Sequence, residues 1–196
     1  MVGLVEAVTA LGDQIPGIFR DAVASLRSWR PDRRIRVSEI AAPGGIAPYS
    51  YAVSAVARQG VEPPVNGKLV LLHDPRGQSA WEGTLRLVSF LRVEVDDELH
   101  TDPMLTHIAW SWLSTGLQVC AAGHIALGGT VTCTIDTRFG GLRDDHESTR
   151  DATDAAVEIR ASWTPVTADL APHLRAWCHQ LAASAGLPPD EVIGRA

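Results

Sequence analysis

The sequence has few cysteines, and they follow no recognisable pattern. Three of the 196 residues are cysteine, at positions 120, 133 and 178. An odd and scattered set does not give the paired ligands of a zinc site, nor the even count of a disulfide framework. We therefore expect neither a bound metal nor an intramolecular disulfide.

Long apolar runs and an excess of positive charge are also absent. No run of apolar residues is long enough to span a bilayer, and the first residues do not read as a secretory signal. The net charge is −6, whereas a general nucleic-acid-binding surface has a basic excess. We expect a cytoplasmic protein that binds no membrane and for which nucleic acid is an unfavoured partner.

Motifs of the common enzyme classes are missing as well. The sequence lacks the Gly-x-Ser-x-Gly turn of serine hydrolases, the phosphate-binding loop and the dinucleotide-binding glycine pattern. His73 and Asp74 could form an acid–base pair, but neighbours on a strand point to opposite faces. Asp74 also begins Asp-Pro-Arg-Gly, which is typical of a type I turn. We assign no catalytic residue and expect no cofactor.

Three segments alternate apolar and polar residues, and this is the strongest structural pattern. A period of two predicts strands with one buried and one solvated face, as in an antiparallel sheet. Cys133 lies on an apolar face and should pack as a small hydrophobic residue. The predicted buried positions are Leu85, Leu87, Leu91, Val93 and Val95; Val131, Cys133, Ile135 and Phe139; and Val157, Ile159, Ala161 and Trp163.

Helices and shorter strands complete the predicted fold. Helical spacing favours helices within 2–29, from Asp102-Pro103 to Gly123, and from Asp169 to Gly186, and short strands are predicted at 33–38, 49–55 and 68–73. The prediction is a single α+β domain over 1–196, a twisted antiparallel sheet of about five to six strands backed by helices. Its order is α-β-β-β-α-β-β-α, with a flexible or helical extension at 1–15 and a mobile loop at 140–155.

Charged residues line the polar faces of the alternating strands. One interpretation is a solvated face with cross-strand ion pairs. The other is a surface that binds an acidic peptide or a phosphate, since arginine matches both geometries. The candidate ligand-binding residues are Arg86, Arg92, Arg138, Arg160, Asp136 and Glu158.

Three apolar residues lie where the patterns call for polar ones. Val88 and Phe90 interrupt the polar face of strand 81–95, which predicts that a helix or a partner subunit covers the middle of this strand. Trp110 lies off the apolar stripe of its helix, so it belongs either to an interface or to a contact under the N-terminal helix. These residues predict a homodimer through the outer face of helix 103–119 or the centre of strand 81–95.

Several motifs resemble an uncharacterised actinobacterial family, domain of unknown function family 3000, over most of the chain from about residue 18. They are Ala47–Ala52, Leu69–Pro75, Trp110–Leu113, Gly128–Thr132, Arg138–Leu142, Glu158–Pro165, His173–Cys178 and Ala185–Pro189. The resemblance implies no assigned activity and only an association with RNA processing, through a neighbouring ribonuclease D-like gene. The element order also resembles type III secretion chaperones and YbjN-like proteins, which are usually dimeric.

Two functions remain open from the sequence. We expect a non-enzymatic binding or adaptor protein, chaperone-like and homodimeric, with a protein or peptide partner. The alternative is an enzyme or RNA-processing accessory that acts on a small anionic substrate or RNA end at the arginine-bearing face. A cleft with converging Arg, Asp and His groups would favour the enzyme, and a flat face with an apolar centre would favour the adaptor.

The cysteine pattern leads to a first prediction. Purified protein should carry no stoichiometric metal and should react as three free thiols per chain under denaturing conditions, because the sequence holds only three unpaired cysteines. Elemental analysis and thiol titration check this. One equivalent of zinc, or fewer than three titratable thiols, would contradict it.

Overall fold

The computed structural model describes residues 15–57, 64–95, 102–137, 139 and 153–189. Within these ranges the chain is α+β, as predicted. Four strands precede the second helix, one more than in the predicted element order, and they match the four segments predicted as strands at 33–38, 49–55, 68–73 and 81–95. The elements are α1 (Gly17–Ser28), β1 (Ile35–Ile40), β2 (Tyr49–Ala57), β3 (Val65–Gln78), β4 (Gly83–Val95), α2 (Leu105–Val119), β5 (His124–Thr137), β6 (Thr153–Pro165) and α3 (Ala171–Ser184).

The six strands form one antiparallel sheet in the order β1-β2-β3-β4-β6-β5. β1 to β4 form a meander of consecutive neighbours. β6 then pairs with β4 and leaves β5 at the edge. The register aligns Leu71, Leu87 and Trp163 in one row across β3, β4 and β6. Paired residues in such rows point to the same side of the sheet.

All three helices lie on one side of the sheet. Arg27 of α1 has its guanidinium carbon 5.3 Å from the centre of the Tyr51 ring on β2. α2 packs against β5 at Gly129. Trp163 Nε1 on β6 donates to His173 Nδ1 on α3 at 3.0 Å. In the parts of the chain that the structure describes, no helix lies on the opposite side, which we call the open face.

α3 forms the centre of the core. Leu174, Trp177 and Leu181, which recur at helical spacing and form one apolar stripe, are buried. The helix is also buried at Ala176 and Gln180, which lie off that stripe, so α3 is covered on most of its sides rather than on one. Full burial of a large apolar side chain contributes about 1.5–3 kcal/mol, which makes this helix a large source of stability.

Residues outside α3 accept hydrogen bonds from its N-terminal end and terminate the helix at its C-terminal end. Ser25 Oγ of α1 accepts from the backbone N–H groups of Leu170 and Ala171 at 2.8 and 2.9 Å. Asp169, where the sequence predicts that the helix begins, accepts from the backbone N–H of Ala171 at a longer 3.3 Å. Gly186 ends the helix with a φ of +65°, which favours glycine, as the sequence predicts.

The predicted type I turn at Asp74–Gly77 is wrong. β3 continues to Gln78, which pairs with Gly83, so the chain reverses at residues 79–82. The register shifts between His73 and Gln78, and Asp74 Oδ1 accepts from the backbone N–H of Arg76 at 3.0 Å. The residues that favour turns therefore form a bulge within a longer hairpin.

The predicted buried face of β5 is largely exposed, which corrects the prediction for Cys133, Ile135 and Phe139. Cys133 is exposed, Ile135 is 54% exposed and Phe139 is 69% exposed. Cys133 and Ile135 pair with Val157 and Ala155, so they do point to the helix side. The described helices do not reach this end of the edge strand. Ile18 of α1 and Ile108 of α2 are also exposed, although helical spacing places each on the apolar stripe of its helix.

Two predicted segments lie mainly outside the described residues. These are the extension at 1–15, of which Ile15 is described, and the loop at 140–155, although β6 already begins at Thr153. Arg138, one of the candidate ligand-binding residues, also lies outside the described residues. None of the described helices is long and apolar enough to cross a membrane.

The contact between α2 and α3 predicts the effect of adding one methyl group. A Cβ at Gly116 would lie 2.6 Å from the carbonyl oxygen of Ala176, whereas a Cβ at Gly17 would meet nothing within 4 Å. Gly116→Ala should lower the free energy of unfolding by about 1–3 kcal/mol, because overpacking outweighs the better helix propensity of alanine. Gly17→Ala is the control and should not be destabilised. Urea denaturation measures both, and a more stable Gly116→Ala would contradict the close packing.

Candidate functional site

An apolar row crosses the open face from β1 to β4. The strand pairing places Ile40, Ala52, Val70 and Val88 side by side. Ile40 is 37% exposed, Ala52 is buried, and Val70 and Val88 are half-buried. Phe90, in the next row, is half-buried as well. The centre of the open face is therefore apolar.

An ion-pair cluster lies beside this row. Arg92 Nη1 and Arg160 Nη2 each donate to one carboxylate oxygen of Glu158 at 3.0 Å. Asp136 on β5 lies 3.9 Å from Arg92. The structure thus brings four of the predicted ligand-binding residues together. The two arginines are partly exposed, so these pairs add little stability, but they hold the side chains in place.

Arg160 also covers Phe90. Its guanidinium carbon lies 5.6 Å from the centre of the Phe90 ring, a cation–π contact. The sequence led us to expect a helix or a partner subunit over Val88 and Phe90. Among the described residues no helix lies there, and the arginine joins the apolar centre to the charged cluster.

Arg86 occupies a different environment on the same face. It is 8% exposed, and its guanidinium donates to Ala126 O, Thr164 Oγ1 and Ser162 Oγ at 3.0, 3.1 and 2.7 Å. These acceptors are neutral, and burial lowers the pKa of Arg86. The residue ties β4 to the irregular part of β5, where Ala126 has a φ of +50°. Most of its surface is therefore used inside the chain.

Trp110 has a contact within the chain. A Cβ at Gly129 would lie 2.8 Å from the Trp110 ring, so the glycine makes room for the indole on β5. Trp110 is half-buried and packs against the core. Of the two environments expected for Trp110, an interface or a contact under the N-terminal helix, the structure shows an intrachain contact, and it is with β5 rather than with α1. Its role in an interface stays a prediction.

His73 and Asp74 do not form an acid–base pair. His73 is 2% exposed, its Nδ1 lies 2.9 Å from the carbonyl oxygen of Thr84, and its ring stacks on Phe19. Asp74 accepts from the backbone of Arg76, and this bond lowers the pKa of its carboxyl group. Each residue thus supports the fold separately.

A groove of about 550 Å³ between α1 and β2 is a feature that the sequence reasoning missed. Arg27 donates to both carboxylate oxygens of Glu39 at 2.8 Å, and the pair holds one side of the groove. This hydrogen bonding lowers the pKa of Glu39. The two residues lie on different elements, so periodicity could not relate them. The lining residues are Ile15, Phe19, Arg20, Val23, Ala24, Arg27, Ser28, Ser50 and Tyr51.

Buried polar groups on α3 and on β4 were also missed. Ser89 Oγ, Trp177 Nε1 and both amide atoms of Gln180 are buried without a hydrogen-bond partner among the described residues. Such groups cost stability because they lose their hydrogen bonds to water. His173, also on this helix, is 1% exposed, and burial lowers its pKa to about 4.

The cysteines and the other possible metal ligands among the described residues form no metal centre. Cys120 and Cys178 are buried, and burial raises the pKa of both thiols, while Cys133 is exposed. All three are free. In the described ranges no group of three or more His, Cys, Asp or Glu side chains could hold a metal ion.

Comparison with known proteins identifies the family. The chain belongs to the family described as protein of unknown function (DUF3000), whose model matches residues 15–193. This confirms the family resemblance found in the sequence. No curated protein and no solved structure matches the chain. The family assignment carries no activity, so the function has to be argued from the geometry.

Burial of His173 predicts a pH dependence of stability. The unfolded chain takes up a proton at this imidazole near its ordinary pKa of 6.5, whereas the folded protein does so only near 4. The free energy of unfolding should therefore fall as the pH drops through this window, by about 3 kcal/mol from this group.

His173→Gln should remove this part of the slope, because glutamine does not titrate and can still accept from the indole of Trp163. Urea titrations between about pH 7 and pH 4 measure the slope. His107→Gln is the control, since His107 is exposed. A His173→Gln profile parallel to the wild-type profile would contradict the burial argument.

Proposed function

We propose that this protein is a non-enzymatic binding protein that holds an acidic segment of a partner protein on its open face. The observation that carries the proposal is the apolar row of Ile40, Ala52, Val70 and Val88, with Phe90 beside it, on a sheet face without a helix in the described residues. An apolar centre with a polar rim is the usual anatomy of a protein–protein contact.

The charge of the open face supports an acidic partner. The strand register places five basic residues on this face against four acidic ones, an excess of one positive charge on a chain whose net charge is −6. Complementary charge speeds association and selects partners. The basic residues are Arg36, Lys68, Arg86, Arg92 and Arg160, and the acidic ones are Glu94, Asp136, Asp154 and Glu158.

The alternative, an enzyme or RNA-processing accessory acting on a small anionic substrate or RNA end, has weaker support. Glu158 already engages Arg92 and Arg160, and Arg86 is enclosed by neutral acceptors. No described histidine lies on the open face, so general acid–base chemistry would lack its usual group. The arginines therefore suit a recognition surface better than a reaction site.

The free thiol of Cys133 supports our proposal for the cellular setting. Cys133 is free and exposed, which suits the reducing conditions of a cytoplasm. We place the protein in the cytoplasm of an actinobacterial cell, as a chaperone-like adaptor. Its sheet presents one face to the partner while the helices stabilise the other.

Substitutions at the centre and rim of the open face test the proposal. Phe90→Ser removes the apolar ring, and Arg160→Gln removes a positive charge and the cation–π contact. Ile108→Ser is the matched control, because Ile108 is an exposed apolar residue on α2, on the helix side.

Affinity purification from the native host, followed by quantitative mass spectrometry, should recover a partner with wild type and Ile108→Ser. Recovery with Phe90→Ser and Arg160→Gln should fall about tenfold or more, as expected when a central contact is lost. The bound segment, mapped by cross-linking, should be acidic. Equal recovery by all variants, or an RNA as the only specific ligand, would overturn the proposal.

A further inference from the structure

We infer that β5 is a pairing edge at which a second copy of this chain adds its own β5, antiparallel about a twofold axis normal to the sheet. Two six-stranded sheets would thereby become one. The inference rests on the edge of the sheet, not on the open face, so it stands or falls apart from the proposed function.

The two edges of the sheet differ in length and protection. β1, at one edge, has 6 residues, includes the charged Arg36 and Glu39, and is tied to Arg27 of α1. β5, at the other edge, has 14 residues and contains no proline. Apart from His124, its one acidic or basic residue is Asp136. Short, charged edges discourage pairing, and long edges with little charge favour it.

Apolar side chains at β5 lack cover from the described helices. Ile135 is 54% exposed and Cys133 is exposed, and both point to the helix side. Phe139, just beyond the strand, is 69% exposed. α2 contacts this strand nearer its start, at Gly129. A neighbour that covers this end must therefore bring its own apolar side chains on the helix side.

A second copy of β5 meets that requirement by symmetry. Pairing centred on Cys133 puts Ile135 opposite Val131 of the partner subunit and Thr134 opposite Thr132 of the partner subunit. Apolar side chains then meet on the helix side and hydroxyls meet on the open side. Asp136 lies opposite Thr130 of the partner subunit, so the two like charges stay apart.

This dimer interface differs from the one that the sequence predicts, which would involve Trp110 on the outer face of helix 103–119 or the centre of strand 81–95. The indole of Trp110 is seated on Gly129 and is half-buried, which leaves it less surface to offer a partner. Because both copies would present their helices on the same side, their open faces would form one continuous surface.

The oligomeric state of the full chain tests the inference. Sedimentation and light scattering should give a dimer at tens of micromolar, an order-of-magnitude concentration for a moderate affinity. Ile135→Lys places a charge in the pairing face and should halve the measured mass. Ile40→Lys is the matched control on the other edge strand, where the isoleucine is 37% exposed, and should remain a dimer.

Cys133 provides a second measurement that needs no destabilising change. It is the exposed one of the three cysteines, so a short bismaleimide should join two chains at this position and fail to do so with Cys133→Ser. This measurement decides the question if circular dichroism shows that Ile135→Lys does not fold. A wild-type monomer, a dimer that Ile135→Lys leaves intact, or a dimer without a Cys133 cross-link would each overturn the inference.

Discussion

The burial of α3 is the constraint on which the rest of the structure depends. This helix packs on the sheet through Trp177 and Leu181, which lie against Gly67 of β3. α2 approaches it closely at Gly116, and Ser25 of α1 completes its N-terminus. Because both other helices need a contact with α3, all three share one side of the sheet. The open face is the consequence.

One set of strands therefore builds both the core and the candidate binding surface. Along β4, Leu87 and Leu91 face the helices, while Val88, Phe90 and Arg92 face the open side. The same hydrogen-bonded ladder holds both sets, so the core positions the surface residues rigidly. A recognition surface on such a sheet needs little ordering when a partner binds, which lowers the entropic cost of binding.

The alternation of β4 and β6 was sufficient to predict that Arg92, Arg160 and Glu158 lie on the polar side. It could not predict that one carboxylate binds both arginines, because this requires β6 to be the neighbour of β4 although α2 and β5 separate them in the chain. The pair of Arg27 and Glu39 was missed for the same reason. Contacts between elements depend on how the elements pack, and the periodicity within one element does not specify which other element packs against it.

The sequence by itself determined the α+β class, the antiparallel sheet, most helix and strand positions and the family, since these follow from local periodicity, turn residues and short motifs. Only the tertiary structure decided which apolar faces are covered. Cys133 and Ile135 alternate as regularly as Val157 and Ile159, yet the first pair is exposed and the second is buried. The reason is position in the sheet. β6 lies inside the sheet and beneath the helices, whereas β5 lies at the edge, where a side chain is buried only if another element reaches it.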